Sequence, residues 1–307
     1  MNIAIIGSSG FIGRSLVKGF LNNGDHVLGV DISEEEELLD PNYEFIRASV
    51  TKTGDFPFDR LVEIDCLIYL VSTTTPSSSN LDMIQDIEDN QLAFVRFLEK
   101  IVALNVKKII FSSSGGAIYS NEQSPPYSEI SQVSPVSSYG INKLACEMYL
   151  RLFNLRYGLS YISLRLSNPY GEGQLPKPGF GVIPTFVNAS YTSEPIQVYG
   201  NGGSVRDFIY IEDVVDAFVV AANSPNTGVY NVGSGAPSSI NDIITLIEGA
   251  TGNKFIKYNV DARACDLSSV YLDVSKMSLE MNWKPTTSLR TGLIKYINWH
   301  KKLKEID

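Results

Sequence analysis

The first residues of the chain, MNIAIIGSSGFIG, constrain its fold most strongly, because an apolar run leads directly into three regularly spaced glycines. Gly7, Gly10 and Gly13 follow a predicted strand and open a predicted helix. At such a turn the backbone bends sharply, approaches a pyrophosphate and packs helix against strand, while the helix N-terminus offers N–H groups to the phosphates. The stretch predicts a dinucleotide-binding βαβ unit, with Gly7, Gly10, Phe11, Ile12 and Gly13 against the cofactor.

Apolar runs alternate with helical stretches through the first half of the chain. The runs NIAII, HVLGV, YEFIR, CLIYLV, KKIIF and YISLRL are predicted strands, and long helices are predicted at about 83–104 and 138–157. Strands that are apolar on both faces and separated by helices indicate a parallel sheet with helices on either side. After residue 167 the elements become shorter and are broken by Gly and Pro.

We therefore expect an α/β fold with a Rossmann-type doubly wound parallel sheet and a smaller C-terminal α+β domain. The predicted NAD-binding domain spans 1–167, and the predicted substrate domain spans 168–307, with some segments returning to the first lobe. A cleft between the two lobes would hold the ligands.

Composition and charge exclude several other classes of protein. The chain has 307 residues, is 44% hydrophobic and carries a net charge of −9 without a Lys/Arg run, which argues against nucleic acid or an anionic membrane as a partner. No apolar run approaches the ~18 residues of a membrane span, and the N-terminus does not resemble a signal peptide, so we expect a cytoplasmic protein. Cys66, Cys146 and Cys265 lie far apart without a CxxC motif, which predicts reduced structural cysteines and no metal site.

Asp31 ends the second predicted strand. A carboxylate at that point suits the ribose diol of NAD and repels the 2′-phosphate of NADP. The sequence therefore predicts NAD as the cofactor. The alternative is that Asp31 only caps the end of a strand.

Tyr139 and Lys143 lie four residues apart on a predicted helix, so both side chains share one face. A tyrosine with a pKa near ~10 is a poor base at neutral pH, but a neighbouring ammonium and a positive nicotinamide ring both favour its phenolate. The pair can therefore act as an acid and base. Alone, a YxxxK pattern is common and usually marks a surface pair.

Together these motifs resemble one family. GSSGFIG, Asp31, the serine-rich FSSSGGAIYS, YGINK, LRLSNPYGEGQ and VRDFIYIEDV are similar to motifs of the extended short-chain dehydrogenase/reductase family, in its NAD-dependent nucleotide-sugar epimerase branch of the UDP-glucose 4-epimerase type. The resemblance covers essentially the whole chain. It implies an enzyme that binds NAD and a nucleotide-diphosphate sugar, and it suggests a homodimer formed by the Tyr139 helix and the long helix before it.

The resemblance also implies catalytic and cofactor residues. The family places a Ser or Thr after the fifth strand, here Ser114, which acts with Tyr139 and Lys143. Because the chain has one residue more than usual between that hydroxyl and Tyr119, Ser113 remains the alternative.

Further contacts are implied on the cofactor side of the cleft. The end of the strand at Leu70, Val71 and Ser72 would lie along the cofactor ribose. The sequence there, YLVSTTTPSSSN, departs from the usual family sequence. Ser49 stands where the family usually has an aspartate near the adenine.

The second lobe matches the family at substrate positions. Arg206 and Arg263 resemble the two arginines that grip the substrate diphosphate, and Asn168 resembles the asparagine beside it. A guanidinium matches phosphate oxygens and stays charged, which suits this role. For Arg206 the alternative is an internal salt bridge with Asp207 or Asp213.

Three other positions concern the base and the sugar. Gln197 and Tyr199 fall where relatives cover the nucleotide base, or are simply part of an edge strand. Val270 falls where relatives carry a tyrosine or a smaller residue beside the 2-substituent of the sugar. A modest side chain there predicts that UDP-GlcNAc and UDP-GalNAc are accepted as well as UDP-Glc and UDP-Gal.

The implied reaction is 4-epimerisation through a transient 4-keto sugar. Dehydration is disfavoured because Gly115 and Gly116 stand where 4,6-dehydratases of this fold have an acidic pair. An NAD(P)H-dependent reductase of a 4-keto-6-deoxysugar needs the same Ser, Tyr and Lys and remains the alternative. A non-catalytic, dinucleotide-sensing scaffold would have little use for those residues.

Overall fold

We describe the protein from a computed structural model, whose described residues are 1–33, 38–51, 56–104, 106–120, 122–177, 181–261 and 268–306. A seven-stranded parallel sheet forms its centre. Counted in chain order, its strands are β1 (Asn2–Ile6), β2 (His26–Asp31), β3 (Tyr43–Arg47), β4 (Cys66–Tyr69), β5 (Lys108–Ser114), β6 (Ser160–Leu166) and β10 (Gly228–Val232). They lie in the order β10-β6-β5-β4-β1-β2-β3. The order reverses between β1 and β4, which opens a crevice at the carboxyl ends of the strands.

The described helices are α1 (Phe11–Asn22), α2 (Met83–Asp86), α3 (Ala93–Ala103), α4 (Ser138–Tyr157), α5 (Val182–Thr192), α6 (Ile211–Asn223), α7 (Ile240–Thr251), α8 (Ser275–Met281) and α9 (Leu289–Ile306). Among them, α1 and α6 pack on one face of the large sheet, and α3 and α4 pack on the other. The single helix predicted at about 83–104 is α2 and α3 joined by a π-helical segment, Ile87–Leu92. π-Helical insertions are frequent at functional sites.

The core lies on both faces of the sheet because successive strand residues point to opposite sides. In β1, Ile3 and Ile5 pack into a cluster with α1, α6 and the second lobe. Ala4 and Ile6 pack on the other face, in the cluster that includes Phe94 of α3. This arrangement confirms the predicted α/β fold with a doubly wound parallel sheet.

The second lobe contains the shorter strands. They are β7 (Asn168–Tyr170), β8 (Ile196–Tyr199), β9 (Val205–Tyr210), β11 (Pro237–Ser239), β12 (Lys257–Val260) and β13 (Ser269–Val270). β9 pairs with β7, β11 and β13, while β8 pairs with β12. Between them, β10 returns to the edge of the large sheet beside β6. The domain boundary at residue 167 remains a prediction.

Two features are absent from the described residues, a membrane-spanning helix and a cluster of metal ligands. None of the described helices has the length and apolar character that crossing a bilayer requires. The described part of the chain also contains no group of three or more His, Cys, Asp or Glu residues placed to bind a metal ion. Cys66 and Cys146 are free and buried, and Cys265 lies outside the described residues. The cytoplasmic location stays a prediction.

Candidate active site

The turn between β1 and α1 is built tightly around its glycines. Gly7 has φ +95°, a conformation that side-chain-bearing residues rarely adopt, and its N–H donates to the Val30 carbonyl at 2.8 Å. A Cβ at Gly13 would collide with the carbonyl oxygens of Gly7 and Ser8. A Cβ at Gly10 would meet only the Gly7 oxygen, at an ordinary 3.5 Å. The protein therefore leaves the backbone open at Gly10, where a pyrophosphate would approach it.

The neighbouring residues at this turn are also placed as a dinucleotide requires. Phe11 and Ile12 form the first turn of α1 and are only partly buried against the core. The Asp31 carboxylate, at the end of β2, accepts hydrogen bonds from the backbone N–H of Ser9 and of Ser33, each at 3.0 Å. Asp31 thus ties the glycine turn to the second strand. These residues fit a dinucleotide at the N-terminus of α1.

The end of β4 lies next to the same turn. The Leu70 N–H donates to the Ile6 carbonyl at 2.9 Å, and a Cβ at Gly7 would lie 3.3 Å from the Leu70 Cβ. Val71 and Ser72 continue from there and line a small cavity. That cavity is also lined by Tyr139 and Lys143, so the end of β4 shares a surface with these two catalytic candidates.

Ser114, Tyr139 and Lys143 lie together where β5 ends. The helix α4 begins at Ser138, because the Ser137 side chain accepts a hydrogen bond from the Gly140 N–H at 3.2 Å and caps the helix. The hydroxyls of Ser114 and Tyr139 share a hydrogen bond. The Lys143 Nζ lies 5.7 Å from the centroid of the Tyr139 ring. It donates to the carbonyl of residue 112 at 2.8 Å, which fixes the ammonium against β5.

Burial shifts the pKa values of the base and the lysine in opposite directions. Burial lowers the pKa of Lys143 to about 8, although the neighbouring Cys146 and Glu147 oppose this shift. Burial also raises the pKa of Tyr139, an effect that the Ser114 hydrogen bond opposes and the Asp86 carboxylate reinforces. In the chain alone the tyrosine pKa is therefore raised, and not lowered as the sequence predicted.

Ser113 has a different partner from Ser114. Its hydroxyl donates to the Glu147 Oε1 at 2.5 Å. Glu147 in turn accepts two short bonds from Arg165, at 3.0 Å from Nε and 2.7 Å from Nη2, and both side chains are buried. Ser113 is thus committed to a buried ion pair, and this geometry favours Ser114 as the hydroxyl that faces Tyr139.

The predicted diphosphate residues lie on paired strands of the second lobe. The Asn168 Nδ2 donates to the Asp207 carbonyl at 2.8 Å across the pair β7 and β9. The Arg206 Nη1 donates to the Val205 carbonyl at 2.8 Å, and Arg206 lies opposite Val270 in the pairing of β9 with β13. Arg263 lies outside the described residues.

The carboxylates considered as salt-bridge partners of Arg206 have other donors. Asp207 accepts from the Ser234 N–H at 2.7 Å and from its hydroxyl at 2.6 Å. Asp213 accepts from the backbone N–H of Thr286 and of Thr287, at 2.8 and 3.0 Å. Both carboxylates therefore have structural roles in holding loops.

The residues predicted to face the base and the sugar differ in exposure. Gln197 is exposed and Tyr199 half-buried on β8. Val270 is only 3% exposed, because it packs in an apolar cluster with Tyr119, Tyr127 and Leu272.

Comparison with known proteins identifies the family. Residues 3–233 match the family described as "NAD dependent epimerase/dehydratase family". The chain belongs to that family. It is 29% identical over 309 residues to a UDP-glucose 4-epimerase of Mycolicibacterium smegmatis, covering 98% of this chain and 99% of the relative. It is 31% identical over 304 residues to a dTDP-4-dehydro-6-deoxyglucose reductase of Escherichia coli, covering 96% of each chain.

A solved structure extends the comparison to the fold. The crystal structure of the UDP-glucose 4-epimerase of Thermotoga maritima with UDP-glucose superposes with a TM-score of 0.93 at 31% identity, covering 99% of this chain and 100% of that one. Membership of the NAD-dependent epimerase/dehydratase family confirms the resemblance drawn from the motifs, and NAD as the cofactor. The chain is therefore an enzyme of this family that uses NAD.

Two buried carboxylates near the catalytic residues were not singled out from the sequence. Glu147 lies one helical turn after Lys143, and Asp86 ends α2. Each carboxylate accepts hydrogen bonds from residues in distant parts of the chain. A four-residue spacing after Lys143 could have pointed to Glu147, but nothing local distinguishes Asp86 from the other acids of MIQDIED.

Proposed function

We propose that the protein is an NAD-dependent 4-epimerase of a nucleotide-diphosphate hexose, such as UDP-Glc and UDP-Gal, acting through a transient 4-keto sugar. The hydrogen-bonded pair of Ser114 and Tyr139, with Lys143 beside it, carries the proposal, because it provides an acid and base for a single sugar oxygen. The similarity to UDP-glucose 4-epimerases supports the choice of reaction.

Each catalytic residue has one task in this scheme. Tyr139 takes the proton from the sugar O4, and the Lys143 ammonium stabilises the phenolate. Ser114 orients O4 and relays the proton through its hydroxyl. Bound NAD supplies the reversible two-electron acceptor at C4. Arg206, with Arg263, holds the diphosphate while the 4-keto sugar turns its other face, so that the configuration at C4 is inverted.

The geometry at Gly115 supports epimerisation over dehydration. A Cβ at Gly115 would lie 2.6 Å from a methyl carbon of Leu272 and 3.3 Å from the Arg165 carbonyl oxygen. A carboxylate side chain at the position after Ser114 would have to displace the Leu272 side chain. The acid that a dehydratase needs to expel water is absent from this position.

Reduction of a 4-keto-6-deoxysugar is the second candidate, because the E. coli relative carries that name and the same three residues would serve. The two functions are separated by incubating the purified protein with UDP-Glc, UDP-GlcNAc or a dTDP-4-keto-6-deoxysugar. Interconversion of UDP-Glc and UDP-Gal without added cofactor is the expected result. Stoichiometric consumption of NAD(P)H with the keto sugar would instead establish the reductase.

Replacement of the base tests the mechanism directly. Tyr139→Phe removes the proton acceptor and keeps the ring, so turnover should be abolished while NAD is still retained. The retained nucleotide is measured after denaturation and extraction. Turnover close to that of the wild type would eliminate Tyr139 as the base.

Acceptance of N-acetylated sugars is the expected consequence of a valine at position 270. Its small side chain lies opposite Arg206, which would place it in the wall behind the sugar, where a tyrosine would take more room. Steady-state kinetics on UDP-GlcNAc and UDP-GalNAc test the proposal, which is abandoned if neither is converted.

An exposed apolar face supports the proposed homodimer. On α4, four large apolar side chains are 48–74% exposed at spacings that place them on one side of the helix: Ile141, Met148, Leu152 and Leu155. The segment before α3 exposes Met83, Ile84 and Ile87 as well. Contiguous apolar surface of this kind is typical of a protein interface.

A further inference from the structure

Asp86 is a buried carboxylate with an unusually complete set of donors. It is 1% exposed, and no described cation forms an ion pair with it. Its Oδ1 accepts from the Thr74 hydroxyl at 2.5 Å and from the Asn90 Nδ2 at 2.8 Å. Its Oδ2 accepts from the Ser138 hydroxyl at 2.6 Å and from the Asn142 Nδ2 at 2.7 Å. Burying an unpaired charge is costly, and these four bonds offset that cost.

The donors come from the elements that surround the base. Ser138 and Asn142 stand immediately before and three residues after Tyr139 on α4, so their bonds to Asp86 fix the first turn that carries the base. Asn90 belongs to the π-helical segment and also holds Thr73, accepting from its N–H and donating to its hydroxyl, both at 2.9 Å. Asp86 therefore joins the base helix to the loop that follows β4.

The same cluster reaches into the active site. Thr74, Asp86, Asn90 and Asn142 line the small cavity that also contacts Tyr139 and Lys143. The Asn142 Oδ1 is buried and accepts no hydrogen bond within the described chain, although it belongs to this lining. The charged groups that face Tyr139 are Asp86 from α2 and Lys143 from its own helix, while β5 contributes the Ser114 hydroxyl.

We propose that Asp86 is a positioning residue for the reaction, which holds the first turn of the Tyr139 helix against the loop of residues 72–75 that follows β4. The proposal rests on the function proposed above. Asp86 touches neither the sugar nor the cofactor in this scheme, and acts through Ser138, Asn142 and Thr74. Its negative charge also opposes ionisation of Tyr139, so the phenolate forms only with the help of opposing positive charge.

The first test is Asp86→Asn, with Asp213→Asn as the matched control. Asparagine keeps the shape of the side chain, and Asn142 can turn its amide so that its unpartnered Oδ1 accepts from the new NH₂ group. The variant thus removes mainly the charge. Asp213 is equally buried and accepts three hydrogen bonds, all from Thr286 and Thr287. We expect Asp86→Asn to move the rising limb of the kcat pH profile to lower pH by about half a unit or more.

The KM for the nucleotide sugar should change less than about twofold in Asp86→Asn, because no substrate contact is removed. Asp213→Asn should leave the rising limb of the kcat pH profile at the same pH, even if this substitution lowers the stability of the protein. The proposal is wrong if the two variants give the same pH profile.

A second variant separates the effect of the hydrogen bond between Thr74 and Asp86 from the effect of the Asp86 charge. Thr74→Val keeps the shape of the side chain and removes only the bond between the loop and Asp86. We expect kcat to fall about threefold or more, while the rising limb of the kcat pH profile stays at the same pH. An unchanged kcat would show that the bond between Thr74 and Asp86 does not position the loop for the reaction.

Direct titration of Tyr139 keeps this test independent of the proposed reaction. The ultraviolet absorbance of tyrosinate is followed against pH with NAD present, and the titration of Tyr139→Phe is subtracted. The Tyr139 signal should appear at lower pH in Asp86→Asn than in the wild type and Asp213→Asn. A wild type that converts no nucleotide sugar would overturn the proposed function, whereas an unmoved Tyr139 titration would overturn the role of Asp86.

Discussion

Neutralising Glu147 should destabilise the protein strongly, because Glu147 and Arg165 form an ion pair in the core. The two side chains are 3% and 5% exposed, and their closest contact is 2.7 Å. Glu147→Gln leaves the Arg165 guanidinium buried without an opposing charge and weakens the bond from Ser113. Removing one partner of such a pair costs about 3–5 kcal/mol of unfolding free energy. We expect a loss of that size in urea unfolding, with the m-value unchanged.

The same substitution should change the pH dependence of turnover. Burial lowers the pKa of Lys143 to about 8, and the Glu147 carboxylate is one of the groups that raise this pKa against the effect of burial. Without that carboxylate the lysine pKa falls further, so less ammonium remains near neutral pH to stabilise the Tyr139 phenolate. In the wild type the activity should decline as pH rises through about 8. In Glu147→Gln the decline should begin at lower pH.

An exposed ion pair provides the control. Lys295 and Glu212 lie 2.6 Å apart, but their side chains are 41% and 59% exposed. Glu212→Gln should therefore cost less than about 1 kcal/mol. Equal losses in Glu147→Gln and Glu212→Gln would refute the argument from burial. Apolar replacement of both partners, Glu147→Leu with Arg165→Met, should recover part of the loss because no unpaired charge is left inside.

Three further substitutions test the cofactor turn and the proposed interface. Gly13→Ala places a Cβ against the carbonyl oxygens of Gly7 and Ser8, so the purified variant should retain less NAD on extraction and unfold at lower urea concentration than the wild type. Asp31→Asn removes the charge that repels a 2′-phosphate, so the ratio of the NADP Kd to the NAD Kd should fall by about tenfold or more; an unchanged ratio would assign the carboxylate only to its backbone bonds. Leu155→Lys places a charge in the exposed apolar face of α4, so light scattering should report monomers in place of dimers.

The fold was predictable because its signals are local. Most strands of the large sheet are apolar runs, and the glycine turn follows the first of them directly, so spacing alone indicates a βαβ unit. The helix α4 was predicted at the bounds that the structure has, since Ser137 can cap its start and Gly158 adopts the left-handed conformation that ends it. The return of β10 to the large sheet depends on pairing with β6, whose residues at the same register lie 66 positions earlier, and no local pattern indicates it.

The π-helical segment shows the same limit within one helix. Its sequence, IEDNQL, contains no Gly or Pro, so composition predicts an ordinary helix through residues 83–104. Asn90 lies in this segment and bonds both Asp86 and Thr73. The side-chain partners of Asn90 lie in a loop and on the preceding turn, so the cause of the distortion is tertiary.

The choice between Ser113 and Ser114 was open for a related reason. Two successive residues of a strand point to opposite faces, so the sequence offers both hydroxyls equally until the packing of α4 is known. In the structure the Ser113 hydroxyl donates a hydrogen bond to Glu147, whereas the Ser114 hydroxyl contacts Tyr139. The extra residue before Tyr119 lies after this point and does not displace Ser114.

The protonation states of the catalytic pair could not be read from the motif, and the structure gives the physical reason. The same burial that excludes water from Tyr139 raises the pKa of its phenol and lowers the pKa of Lys143, and both shifts work against a phenolate beside an ammonium. The Ser114 hydrogen bond favours the phenolate, and Asp86 opposes it. Two positive charges would favour the phenolate, the Lys143 ammonium and the nicotinamide ring of bound NAD. Because the chain alone favours the neutral phenol, such an arrangement would tie proton removal to the presence of the electron acceptor.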